Sequence, residues 1–230
     1  MPKTALISGG ANGIGYAIAR RFSMENINVA IADIFPPEKK NSGMAFQHCD
    51  VTNATDIDTL FSWMKDGIGL PDILVINAGL GIEEKLTEGD PEKWQQVINT
   101  NLMGALRCVR AFVPNMVEQK KGHVVFISSV AANQPHPYGG IYSASKTALE
   151  IIADTLRMEN LPYIKVTVAK PGITDTDFFK NQLAGHSTVA NLENGALAAE
   201  DIAEDIFYVV NKNKGTSINN ITIRPTQQKF

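Results

Sequence analysis

Residues 4–15 read TALISGGANGIG, a short apolar run, TALIS, that breaks into a glycine-rich turn. An unbroken apolar run before such a turn is the pattern of a strand buried on both faces of a parallel sheet. Residues 13–25 then carry Ile14, Ala17, Ile18 and Phe22 on one helical face. The glycines at 9, 13 and 15 are spaced G-x-x-x-G-x-G, not the commoner G-x-G-x-x-G of dinucleotide turns. The physics is shared. Gly9 permits a tight turn, Gly13 lets backbone approach a pyrophosphate, and Gly15 lets the helix pack close to the sheet. Asn12 and Ile14 fill the turn between them, and the helix N-terminus faces the anion. A glycine-rich connection with no ligand is the plainer alternative.

Outward from this turn the chain alternates. Strand patterns at 27–33, 44–50, 72–79, 122–129, 163–172 and 217–224 are separated by helical patterns at 53–66, 91–119, 139–160 and 199–212. Thr52 or Asn53 is an N-cap for the second helix, and Pro91 suits a first helical turn. Strands separated by helices pair in parallel through right-handed crossovers. The expected fold is α/β: one doubly wound, Rossmann-like parallel sheet of about seven strands with helices on both faces. Residues 1–230 are expected to form a single cofactor-binding and catalytic domain. The stretch 174–195 mixes Phe178, Phe179 and Leu183 with polar residues and glycines after the sixth strand, so a substrate lid is expected there.

Composition narrows the classes. An apolar fraction of 44% with 20% charged residues is that of a globular protein. A net charge of −3 offers no basic face for nucleic acid. No run approaches the roughly 18 apolar residues of a membrane span. Cys49 and Cys108 make no disulfide framework and fit a reducing, cytoplasmic location. The histidines lack ligand-like spacing, so no metal site is expected. His123, His136 and His186 are expected at the surface, and His48 in a structural role.

Asp33 closes the second strand pattern, eighteen residues after Gly15. A carboxylate there accepts hydrogen bonds from the ribose hydroxyls and repels a 2′-phosphate. Ile34, Phe35 and Pro36 follow it without a cation, so NAD is favoured over NADP. Asp50, with Val51 beside it, occupies the next strand end and can meet the adenine amino group or cap the following helix.

A second constellation lies in GGIYSASKTALE, where Tyr142 and Lys146 are four residues apart and Ser129 is thirteen before the tyrosine. A helical spacing of four puts phenol and ammonium on one face. Such a pair can hand a proton to a carbonyl without a metal, with a serine hydroxyl stabilising the oxygen. The spacing alone is weak, since composition gives about 0.3 such pairs by chance. A second one exists, Tyr208 with Lys212, but it has Gly195 rather than a hydroxyl thirteen residues upstream. That pair reads as a half-buried tyrosine and a solvated lysine near a helix end.

Taken together, SGGANGIG (8–15), INAG (76–79), NTNLMG (99–104), ISS (127–129), YSASK (142–146) and PGITDT (171–176) resemble the short-chain dehydrogenase/reductase family over nearly the whole length. The resemblance implies a nicotinamide cofactor, oxidation of small alcohols or reduction of carbonyls, and dimers or tetramers. It makes Tyr142 the general acid/base. Lys146 becomes the group that holds the nicotinamide ribose and depresses the tyrosine pKa, and Ser129 the one that orients the substrate oxygen. It makes Asn101 the anchor of a water in a proton relay. Asn77, Ala78 and Gly79 would form the cofactor floor, and Pro171, Gly172, Ile173, Thr174 and Thr176 would meet the nicotinamide end. Two departures stand out: Ser8 for the usual threonine, and Ile76 for the first asparagine of N-N-A-G. The C-terminus, SINNITIRPTQQKF, lacks the common Asp-Gly-Gly and loosely resembles that of 3-hydroxy-acid dehydrogenases. The rival readings are a non-catalytic NAD(P) sensor and a methyltransferase using S-adenosylmethionine, neither of which needs the Tyr142–Lys146 pair.

Overall fold

The structure is a computed structural model that describes residues 2–39, 42–134, 136–185 and 195–228. Its centre is a seven-stranded parallel sheet in the order β3-β2-β1-β4-β5-β6-β7. The strands are β1 (Thr4–Ser8), β2 (Asn28–Asp33), β3 (Met44–His48), β4 (Ile73–Ile76), β5 (Gly122–Ile127), β6 (Ile164–Pro171) and β7 (Asn220–Ile223). The helices are α1 (Gly13–Ser23), α2 (Ala54–Asp66), α3 (Pro91–Ile98), α4 (Ala105–Glu118), α5 (Gly140–Glu159) and α6 (Ala199–Val210).

Alternation along the strands builds two cores. Ala5, Ile7, Val29, Ile31, Val75 and Val125 point to the face covered by α1 and α6. Leu6, Ala30, Leu74, Val124 and Phe126 point to the other, covered by α2, α4 and α5. Both faces are dry, so the strands read as continuous apolar runs rather than alternating ones. No helix among the described residues is long and apolar enough to cross a membrane.

Three features differ from the sequence expectation. The helical pattern over 91–119 is not one α-helix. A wider π-turn, Asn99–Gly104, separates α3 from α4, although its residues keep a helical pattern. The last strand is shorter than 217–224, holding only four residues. His123 is not a surface residue. It is buried on β5, where its Nε2 meets the Thr167 hydroxyl of β6 at 2.8 Å. Burial, with Lys165 and Lys3 nearby, pushes its pKa down to about 4, so it sits neutral in the sheet. His48 ends β3 with an exposed side chain 3.6 Å from Asp56. His186 lies outside the described residues. Asn53 supplies the N-cap of α2, accepting from Thr55 N, while Asp90 caps α3 ahead of Pro91.

Candidate active site

In the strand order, β1 lies between β2 and β4, so the chain winds away from this point in both directions. Loops leaving the strand ends there diverge and open a crevice. A cleft of about 1730 Å³ occupies that position, running from Asp33 and Asp50 at one end to Phe178 and Gln182 at the other.

The glycine turn forms its floor. Gly9 has φ +62°, and a Cβ there would stand 2.7 Å from the Ala78 Cα. A side chain at Gly15 would drive into the Gly9 carbonyl and the Asn77 amide. Gly15 therefore does not line the cleft; its bareness lets α1 pack under the turn. Gly13 has φ +53°, and Asn12 Oδ1 caps α1 by accepting from Gly13 N at 2.7 Å. The Ser8 hydroxyl donates to Val75 O and accepts from Asn77 N at 3.1 Å and Ala78 N at 3.3 Å. Asn77 Nδ2 in turn donates to Gly9 O at 2.7 Å. The hydroxyl kept at position 8 thus ties β1 to the end of β4, while Ile76 is simply buried in the core.

Asp33 faces the same floor. Its Oδ2 accepts from Ala11 N at 3.0 Å and its Oδ1 from Phe35 N at 3.4 Å. Asp50 turns one carboxylate oxygen back to Thr52, accepting from both its N–H and its hydroxyl at 2.8 Å. Ile34, Val51, Ala78, Gly79, Pro171 to Thr174 and Thr176 all line the cleft, as do Asn12, Gly13 and Ile14.

Ser129, Tyr142 and Lys146 meet at the middle of this cleft. Ser129 ends the segment after β5, and its Oγ accepts from Ala131 N at 3.2 Å. It also hydrogen-bonds the Tyr142 hydroxyl. Lys146 is buried, and its Nζ donates to Ile127 O at 2.8 Å while standing 5.8 Å from the centroid of the Tyr142 ring. Burial pushes the lysine pKa down to about 8. Burial pushes the tyrosine up to about 12, against a smaller lowering from the Ser129 hydrogen bond. The expectation that Lys146 depresses the phenol is therefore not met by the protein alone. The ammonium is spent on a backbone carbonyl, and desolvation dominates.

Asn101 lies buried in the π-turn behind the cleft and is not among the residues that line it. Its Oδ1 accepts from Leu80 N at 2.7 Å, and its Nδ2 donates to Leu80 O and Ser145 Oγ, both at 3.0 Å. Both amide hydrogens are used, so the side chain pins the loop after β4 to α5. A Cβ placed on Gly79 would stand 3.3 Å from Asn101 Oδ1 and 3.5 Å from Lys146 Nζ, so the two groups flank that glycine.

Sequence reading missed a polar cluster one turn beyond Lys146. Glu150 accepts from Ser128 Oγ at 3.0 Å, from Asn133 Nδ2 at 3.3 Å and from Lys170 Nζ at 3.3 Å. It joins α5 to the ends of β5 and β6. Its members are remote in sequence, so no local pattern announces it. Gln228 was also missed; it lines the cleft and accepts from Ile173 N at 3.1 Å.

The residues fit a dinucleotide. Two bare glycines with positive φ, a helix N-terminus, a strand-end carboxylate and a buried lysine line one continuous cleft. The comparisons agree. The family model described as short chain dehydrogenase matches residues 3–186. An uncharacterized oxidoreductase of Staphylococcus aureus is 30% identical over 231 residues, covering 97% of both chains. One from Staphylococcus epidermidis is 29% identical over 232 residues with the same coverage. Among solved structures, serine dehydrogenase in a closed form with NADP+ superimposes with a TM-score of 0.90 at 27% identity, over 99% of this chain and 96% of that one. An alcohol dehydrogenase from the archaeon Thermococcus sibiricus, complexed with 5-hydroxy-NADP, gives 0.87 at 26%, over 100% and 99%. Fold, cleft and relatives converge: this chain belongs to the short-chain dehydrogenase/reductase family of NAD(P)-dependent oxidoreductases.

Proposed function

We propose that the protein interconverts a small carbonyl compound and its alcohol, with Tyr142 as general acid/base. The observation that carries this is the half-buried Tyr142, its hydroxyl paired with Ser129, in the cleft that also holds the glycine turn and Lys146. The glycine turn and Lys146 would hold a nicotinamide cofactor there, which would supply hydride chemistry at the carbonyl carbon. Ser129 donates to the substrate oxygen and fixes its position. Tyr142 gives its phenolic proton to that oxygen in reduction and takes one from the hydroxyl in oxidation. Lys146 holds the ribose and adds positive charge beside the phenol. Asn101 acts one layer back, holding Leu80 and α5 in register.

Burial sets a direction. With the phenol pushed up to about 12, Tyr142 is protonated at neutral pH and ready to donate. Carbonyl reduction is therefore favoured near pH 7, and alcohol oxidation accelerates as pH rises. Tyr142→Phe tests the assignment: hydride transfer falls about a thousandfold, while NADH still binds, read by quenching of protein fluorescence. Full turnover in that variant sinks the acid/base role. Cofactor binding with no turnover of any alcohol by the unaltered protein would instead mark a nucleotide sensor.

The cofactor we assign is NAD. Asp33 ends β2 on the cleft wall, and its carboxylate would repel a 2′-phosphate on an adenosine ribose bound there. NADH is expected to exceed NADPH in kcat/KM by about tenfold or more, roughly the 1–2 kcal/mol of one unfavourable charge contact. A preference for NADPH overturns this choice.

A further inference from the structure

Beyond Tyr142 the cleft ends in a lining whose chemistry selects the substrate. Resting on the oxidoreductase reading above, we propose that the substrate is an uncharged ketone or secondary alcohol carrying an aryl group, and not a hydroxy or oxo acid.

The Phe178 ring lies over Tyr142, centroids 5.6 Å apart and tilted at 53°. Phe179 meets Phe178 edge-on at 5.9 Å, so the wall is an aromatic corner rather than a single ring. The Phe178 ring is also seated on backbone: a Cβ on Gly81 would stand 2.8 Å from Phe178 Cζ. The segment around it is tied down. Leu183 N donates to Gly81 O at 3.0 Å, and Glu83 N donates to Ala184 O at 2.9 Å. A fixed aromatic corner against the acid/base group rewards a flat apolar substituent on the reacting carbon.

Charge disfavours the alternative. A carboxylate taken into such a cleft needs a cation or several donors. Among the described residues no arginine lines the cleft, and the lysines that do are Lys39 and Lys146. Lys39 belongs to the Asp33 end, where its carbonyl accepts from the Tyr16 hydroxyl on α1. Lys146 is bonded to Ile127 O. Lys180, next along the chain, is paired with Asp177 at 2.6 Å and does not line the cleft. The sequence 181–211 holds no lysine or arginine at all. The charged side chains that line the cleft around Phe178 are Glu83 and Asp177, both of the wrong sign for an acid.

The test uses the full chain with NADH and three carbonyls: acetophenone, 4-acetylbenzoate, which adds one carboxylate to the same ring, and butan-2-one. Acetophenone is expected to exceed 4-acetylbenzoate in kcat/KM by about a hundredfold. Phe178→Ala is expected to penalise acetophenone about tenfold more than butan-2-one, chiefly through KM. Calorimetry should show 1-phenylethanol binding the NADH complex of the wild type more tightly than that of Phe178→Ala. A preference for 4-acetylbenzoate, or an equal loss of aryl and alkyl ketones in Phe178→Ala, overturns the substrate class and leaves Tyr142 chemistry standing. If NADH binds and no carbonyl is reduced, the substrate class and the oxidoreductase reading fall together.

Discussion

Two tyrosine–lysine pairs with the same spacing sit in opposite surroundings. Tyr142 and Lys146 lie within α5 and face the cleft, the tyrosine half-buried and the lysine buried with its ammonium on a backbone carbonyl. Tyr208 ends near the C-terminus of α6 with 57% of its surface exposed, and Lys212 follows the helix with its Nζ 3.5 Å over the Tyr208 ring. The closer pair is the inert one. A spacing of four brings the groups together in both, but only burial and a hydroxyl partner change what the phenol can do. Ser129 is that partner for Tyr142.

The widest separation between the pairs is expected in turnover. Tyr142→Phe removes about a thousandfold, and Tyr208→Phe stays within about twofold, both read as NADH oxidation with acetophenone. A comparable loss in Tyr208→Phe would erase the distinction.

The next contrast lies in the support behind the first pair, for which the second has no counterpart. Asn101 satisfies both polar groups of Leu80 from the π-turn. Asn101→Leu leaves a buried N–H and C=O unpaired, at about 1–3 kcal/mol each. A loss of about 3 kcal/mol in urea unfolding is expected. A loss under about 0.5 kcal/mol would mean that the loop after β4 does not depend on this side chain.

A smaller effect has the opposite sign. Lys146 has a folded pKa near 8 against 10.5 for an ordinary lysine. Between those values the unfolded chain holds the extra proton, so stability rises with pH over this window and is lowest below pH 8. The depression corresponds to about 3 kcal/mol. Lys146→Met relieves it and forfeits the hydrogen bond to Ile127 O, worth about 1 kcal/mol. The variant is expected to be inactive yet about 2 kcal/mol more stable at pH 7, an advantage that fades by about pH 10.5. A destabilised Lys146→Met at pH 7 would show that the ammonium is held by more than one carbonyl.

What was legible in the sequence follows the range of the interactions. The strand–turn–helix at 4–15 was readable because Gly9, Gly13 and Gly15 act within one turn. The parallel sheet was readable because runs such as ILVI leave no polar face. Ser129, Tyr142 and Lys146 were readable as a set because two lie on one helix and the third follows the strand before it. The π-turn was not, since NTNLMG keeps a helical pattern and its widening answers to Leu80, 21 residues away. His123 was misread because its partner, Thr167, belongs to a neighbouring strand 44 residues on. Glu150 gave no signal in the sequence, since Lys170 reaches it from β6, 20 residues away. The phenol's raised pKa was missed for the same reason. Charge proximity shows in spacing, but desolvation needs the packed cleft.

The smallest contrast tests whether the second pair does anything. With Lys212 Nζ 3.5 Å over the Tyr208 ring at the surface, the cation–π contact contributes about 0.5–1 kcal/mol. The Lys212 carbonyl separately accepts from Lys165 Nζ at 3.2 Å, a backbone contact that survives side-chain truncation. Lys212→Ala is therefore expected to lower the urea midpoint slightly, by less than about 1 kcal/mol, with kcat/KM unchanged. A loss above about 2 kcal/mol would mean that the C-terminal end of α6 is held through this side chain. A change in kcat/KM would mean that the far face of the sheet is coupled to the cleft, and the spacing at 208–212 would no longer be the inert member of the pair.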